Sequence, residues 1–180
     1  MNNRERIANR IEESIGRMFA HFRSFDPGST QYSIFYHPKR HTSWFILIFF
    51  ADKDQLRDAL KNGICFQIYK YISNELDNTT ETSNIEKSIS FESGSRPEAQ
   101  SDVDNLFDLL LKRQESLRSV TSKEHKECGN CGHDFDKHHL LCNLTDDRST
   151  PTEGWIICPE EDCNCFQTWS ASYNPTIELK

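Results

Sequence analysis

The sequence predicts an α+β fold: a small, mostly antiparallel sheet of about three strands with about four helices, followed by a cysteine-rich C-terminal module. Three observations predict it. Apolar residues recur at steps of three and four in several segments, as on the buried stripe of a helix. Other segments alternate in polarity or run apolar over a short stretch, as strands do. Six of the seven cysteines fall between Cys128 and Cys165.

The first helix is expected from Asn3 to Phe25, with Ile7, Ile11, Ile15, Met18, Phe19 and Phe22 forming one apolar stripe. Asp26-Pro27-Gly28 stops it. Gln31 to His37 alternates, with Tyr32, Ile34 and Tyr36 on one face. Trp44 to Ala51 is apolar on both faces, the pattern of a central strand covered on both sides. The polar residues His37 to Thr42 join these two as a hairpin. Asp52 caps the next helix, with Gln55 completing a capping box. That helix ends at Gly63, in the position where helices most often take a glycine. A third helix over Ile64–Asp77 presents Ile64, Ile68, Ile72 and Leu76. Asn78 to Asn84 reads as a Thr-rich polar loop. Ile85 to Ser93 reads as a one-faced strand, with Ile89 and Phe91 inward and Ser88 and Ser90 outward. The last helix, Asp102 to Val120, carries Val103, Leu106, Phe107, Leu110 and Leu117 on one face. The domains expected are an α+β domain at 1–122, a metal-binding module at 123–172 and a polar tail at 173–180.

Composition narrows the function classes. The longest apolar run, Trp44 to Ala51, is far short of the roughly 20 residues that a spanning helix needs. The first six residues carry no apolar stretch of the signal-peptide kind. A cytoplasmic protein with reduced thiols is therefore expected. The net charge of -7 is uneven. Residues 1–74 hold 11 Lys/Arg against 7 Asp/Glu, residues 75–120 hold 5 against 10, and residues 121–180 hold 5 against 11. A nucleic-acid surface needs clustered positive charge, and the cysteine-rich segment has the opposite sign.

Zinc takes four tetrahedral sulfur or nitrogen ligands, usually in pairs close along the chain. Cys128-Gly129-Asn130-Cys131-Gly132 is such a pair, on a turn whose glycines permit positive φ. Cys158-Pro159-Glu160-Glu161-Asp162-Cys163 is a second, entered by the apolar residues Trp155 to Ile157. Together they resemble the paired knuckles of zinc ribbons and related zinc-finger modules. The second half is also similar to half-sites of multi-zinc ubiquitin-ligase domains. The resemblance covers 128–172 only, and implies one structural Zn2+ held by Cys128, Cys131, Cys158 and Cys163. It departs from the simplest ribbon, which has C-x2-C in its second knuckle, so Cys165 competes with Cys163 for the fourth place. His133, His138, His139 and Cys142 are further alternates, and could build a second zinc site. Otherwise these histidines are solvated or donate to carboxylates. Trp155, Phe166 and Trp169 are expected to pack beside the metal, because so small a module has little other core. Cys65, alone among apolar neighbours, is expected to be a buried hydrophobe.

No catalytic motif accompanies the cluster. Neither H-E-x-x-H nor the deaminase pattern occurs, and the phosphate loops and the G-x-S-x-G elbow are absent. An HNH-type nuclease is the nearest enzymatic resemblance, through Asp136 to His139. No histidine follows Cys163, so the last metal-binding histidine of that motif is missing. The expected function is a non-catalytic adaptor or regulatory subunit that binds another protein. The alternative is nucleic-acid binding through Arg6, Arg10, Arg17 and the Lys39-Arg40-His41 loop. A metal-dependent hydrolase ranks third.

Overall fold

The computed structural model describes residues 2–22, 31–36, 43–98, 101–102, 104–106, 108–112, 127–128, 130–134, 137–143, 153–160 and 162–170. The chain divides into two compact units, Met1–Arg96 and Pro97–Lys180. The expected boundary at 122–123, the 37–42 loop and the tail at 173–180 lie outside the described residues.

The N-terminal unit opens with α1, Asn3–His21. Asn2 Oδ1 accepts the Glu5 N–H at 2.9 Å, and Glu5 Oε2 accepts the Asn2 N–H at 2.8 Å. This capping box satisfies two donors at the helix start that otherwise lack partners. The helix does not reach Phe25: at Phe22 the backbone has already left helical geometry, with ψ at 62°. Ile7, Ile11, Ile15 and Met18 are buried as the periodicity predicts. Phe19 and Phe22, at the helix end, are only half-buried.

Strands β1 (Gln31–Tyr36) and β2 (Ser43–Phe50) pair antiparallel, from Gln31 opposite Phe49 to Tyr36 opposite Trp44. Every residue from Trp44 to Phe50 is buried, and β2 is the central strand. Asp52 Oδ1 accepts the Gln55 N–H at 2.9 Å and starts α2, Lys53–Lys61. Gly63 then takes a left-handed φ of 71°, and its N–H reaches back to Leu60 O. A side chain there would meet nothing within 4 Å, so backbone conformation rather than crowding selects glycine. Helix α3 follows at once, Ile64–Asp77, with Cys65, Ile68, Tyr69, Ile72 and Leu76 buried. It packs against α1, where Arg17 Nε donates to Glu75 Oε2 at 2.7 Å and His21 stacks on Tyr71.

Residues 78–84, expected as a polar loop, fold into turns that close the end of α3. Thr82 is fully buried, and its hydroxyl donates to Leu76 O at 2.6 Å. Strand β3, Glu86–Ser93, then pairs with β2 in parallel, from Ser43 opposite Glu86 to Phe50 opposite Ser93. The three-stranded sheet is therefore mixed, which corrects the expectation of a mostly antiparallel one. The cause is the connection: α2 and α3 together form the long crossover that a parallel pair requires. Hydrophobic periodicity marks a strand but carries no information about its direction. Ser88 to Phe91 are all buried, so β3 is not one-faced either. A parallel neighbour of a buried central strand is covered on both sides, and short serines fit under that cover.

In the C-terminal unit, helical backbone recurs at 101–102, 104–106 and 108–112, with Leu110 buried. Three short strands follow: β4 (His139–Asn143), β5 (Glu153–Ile157) and β6 (Phe166–Ser170). β4 pairs with β5 and β5 with β6, both antiparallel. Leu141, Ile156 and Ile157 are buried. Among the described residues no helix is long and apolar enough to cross a membrane.

Candidate metal centre

The register of the C-terminal sheet assembles the site. His139 lies opposite Ile157, and Ile157 lies opposite Phe166, so these three form one row across β4, β5 and β6. His138 precedes that row, Cys158 follows it and Cys165 precedes it. Three potential ligands thus leave the same end of the sheet. The Cys158 N–H donates to Cys165 O at 3.0 Å, which extends the β5–β6 ladder by one step. Between them the chain turns, with the Cys163 N–H donating to Glu160 O at 3.0 Å. That turn brings Cys163 back beside the two strand ends.

The first knuckle is a tight hairpin. The Gly132 N–H donates to Cys128 O at 2.6 Å and the Cys128 N–H to His133 O at 2.7 Å, with a single bridge between Glu127 and Asp134 beyond them. Gly132 has a φ of 73°, the left-handed conformation expected for such a turn. Gly129 lies outside the described residues. This hairpin presents Cys128, Cys131 and His133 from one loop.

Two groups of four donors result. Cys128, Cys131, His138 and Cys165 have ligand atoms within 4.8 Å of one another, and so do Cys131, His133, Cys158 and Cys163. Cys131 belongs to both. Cys128 Sγ lies 3.8 Å from Cys165 Sγ, Cys131 Sγ 3.5 Å from His138 Nε2, and Cys158 Sγ 3.5 Å from His133 Nδ1. With Zn–S bonds of about 2.3 Å and Zn–N bonds of about 2.05 Å, a tetrahedral zinc separates two sulfurs by about 3.8 Å and a sulfur from a nitrogen by about 3.5 Å. These three edges therefore have the lengths that one ion per group would set.

The surroundings suit metal ligands. Cys128, His138, Cys158, Cys163 and Cys165 are buried, Cys131 is half-buried and His133 is exposed. His138 Nδ1 donates to the Asp134 carbonyl at 3.1 Å. A carbonyl can only accept, so Nδ1 carries the proton and Nε2 faces Cys131 with its lone pair. Asn130 Nδ2 donates to Cys165 Sγ at 3.4 Å, and the Cys165 N–H donates to Cys163 Sγ at 3.3 Å. Burial pushes the Cys158 and Cys165 thiols up to about 12 and raises that of Cys131. Burial also pushes Cys163 upward, but hydrogen bonds from the Cys165 N–H and from His133, Cys158 and Cys131 outweigh it and leave that thiol below its ordinary value. The burial that raises Cys131, Cys158 and Cys165 would be offset by a bound cation, which supplies the opposing charge. On the surface, Lys137 Nζ bridges to Glu160 Oε1 at 3.1 Å, linking the first loop to the second knuckle.

The preferred residues Cys128, Cys131, Cys158 and Cys163 do not fall into one group: Cys128 belongs to the first, Cys158 and Cys163 to the second, and Cys131 to each. Cys163 and Cys165, read as competitors for one place, lie in different groups. His133 and His138 stand among the donors. The signal for them was the C-x2-C-G-H run, with a further histidine five residues on. Of His139 and Cys142 only the backbone is described, with Cys142 opposite Trp155 beside a bulge. Trp155 and Phe166 pack against each other with ring centroids 4.6 Å apart, next to Cys158 and Cys165 in the chain. The side chain of Trp169 lies outside the described residues. Cys65 is fully buried on α3, in the N-terminal unit. No protein-family model matches the chain, and no curated protein or solved structure is significantly similar to it.

Proposed function

We propose that the C-terminal unit is a structural zinc module and that the chain acts without catalysis, as an adaptor or regulatory subunit that binds another protein. The observation that carries the zinc reading is the convergence of His138, Cys158 and Cys165 from three strand ends onto the Cys128–Cys131 loop, with tetrahedral edge lengths. Mixed thiolate and imidazole donors suit zinc. A catalytic zinc keeps three protein ligands and an open place for water, whereas each group here offers four. That count favours a closed, structural ion over a hydrolytic one. The choice of a protein partner rests on charge: residues 121–180 hold 5 Lys/Arg against 11 Asp/Glu, which opposes phosphate binding and favours a basic protein surface.

Elemental analysis of the intact chain, purified under reducing conditions, tests the zinc reading. Bound zinc that a chelator removes is the expected result. A metal-free chain with full amide protection across 127–170 would sink it. For the partner, a protein recovered from native cells should bind the purified chain directly when both are isolated. Retention on nucleic acid that weakens steeply with added salt would instead support the nucleic-acid alternative.

A further inference from the structure

We propose that this unit holds a binuclear zinc cluster in which the Cys131 thiolate bridges the two ions. The inference rests on the zinc reading above and adds the number of ions and the role of one sulfur. Two tetrahedral ions need eight ligand positions; if one ligand serves both, seven residues suffice. The two donor groups contain seven different residues and have only Cys131 in common. The first ion takes Cys128, His138 and Cys165, the second His133, Cys158 and Cys163, and Cys131 completes each.

Two observations favour two ions over one ion with spare thiols. Each group contains a sulfur–nitrogen edge of 3.5 Å, Cys131 to His138 in the first and Cys158 to His133 in the second. A single ion would account for only one of these edges. Each group also contains a sulfur that receives an N–H, Cys165 from Asn130 and Cys163 from the Cys165 backbone. Donors aimed at sulfur stabilise the thiolate, and here they are supplied to both groups. The position of Cys131 fits the bridge, because it lies at the apex of the Cys128–His133 loop between the two groups.

The test uses the intact, reduced chain. Native mass spectrometry should find two zinc ions per chain. Zinc X-ray absorption should show a zinc–zinc distance of about 3.3–3.8 Å, the spacing set by two Zn–S bonds of about 2.3 Å meeting at one sulfur. After cadmium replacement, 113Cd NMR should give two resonances coupled to each other through the shared thiolate. Cys165→Ser and Cys163→Ser should each fall to one ion and lose the zinc–zinc signal, and Cys131→Ser, which removes a ligand from both groups, should lose that signal as well. The wild-type spectra decide the matter even if a variant fails to fold. One zinc per chain, or two without a zinc–zinc distance or cadmium coupling, overturns the bridge while leaving the structural zinc reading intact. No zinc at all overturns both.

Discussion

Removing zinc should unfold the C-terminal unit and leave the N-terminal unit folded. The described aliphatic side chains fully buried in the C-terminal unit are Leu141, Ile156 and Ile157. At about 1.5–3 kcal/mol each, they contribute on the order of 5–9 kcal/mol. Zinc binding to a small structural module contributes about 10–16 kcal/mol per ion near neutral pH. On the proposed zinc reading, one ion therefore outweighs these three described side chains. The N-terminal unit has an apolar core of its own: Ile11, Ile15, Ile46, Leu47, Ile68 and Ile72 are all essentially inaccessible to solvent. Hydrogen exchange read by mass spectrometry, with and without a chelator under reducing conditions, separates the two. Amides of β5 and β6 should lose their protection, while those of β2, β3 and α3 keep theirs. Unchanged protection in β5 and β6, with zinc removal verified by mass, would refute the reasoning. So would an equal loss in β2.

Four smaller perturbations test the rest. Ile72→Ala should destabilise the N-terminal unit by about 2–5 kcal/mol in urea unfolding, since the side chain is fully buried on α3 and leaves a cavity. Gly63→Ala should cost about 1–2 kcal/mol by the same measurement, because φ is 71° and the surrounding space is open. Asp52→Ala removes the acceptor for the Gln55 N–H and should cost about 1 kcal/mol, read as a lowered urea midpoint with an unchanged slope. Lys137→Met should leave zinc content unchanged in native mass spectra, because its link to Glu160 is exposed to solvent.

The elements legible in the sequence were those whose signal is local. The central strand β2 announced itself by seven consecutive buried residues, Trp44 to Phe50. Helix α3 appeared at its expected bounds, because Gly63 marks its start and Ile68, Ile72 and Leu76 mark its face. What escaped depends on contacts that periodicity and spacing do not report. Periodicity could not say that β3 runs parallel to β2, nor that Ser88 and Ser90 would be covered. Thr82 looked like a loop residue, and only the nearby Leu76 carbonyl makes it a buried cap. In the cysteine cluster the residue types were visible, but their grouping was not. Cys163 and Cys165 seemed to compete for one place because sequence spacing cannot show that a turn sends them into different groups.

The grouping and the strand register depend on each other. Strand side chains alternate between faces, so a one-residue slip of β6 against β5 would turn Phe166 away from Trp155 and carry Cys165 off the step opposite Cys158. Strands of five residues bury too little to hold one register strongly by themselves. A metal that requires Cys165 in one group and Cys158 in the other penalises every slipped pairing, because each slip removes ligands at once. The aromatic pair adds to the same preference from the sheet side, since a one-residue slip would put Trp155 and Phe166 on opposite faces. On the proposed zinc reading, metal binding selects the pairing of the strands as well as stabilising it. The ends of β4, β5 and β6 should accordingly gain protection together as zinc is restored, rather than strand by strand.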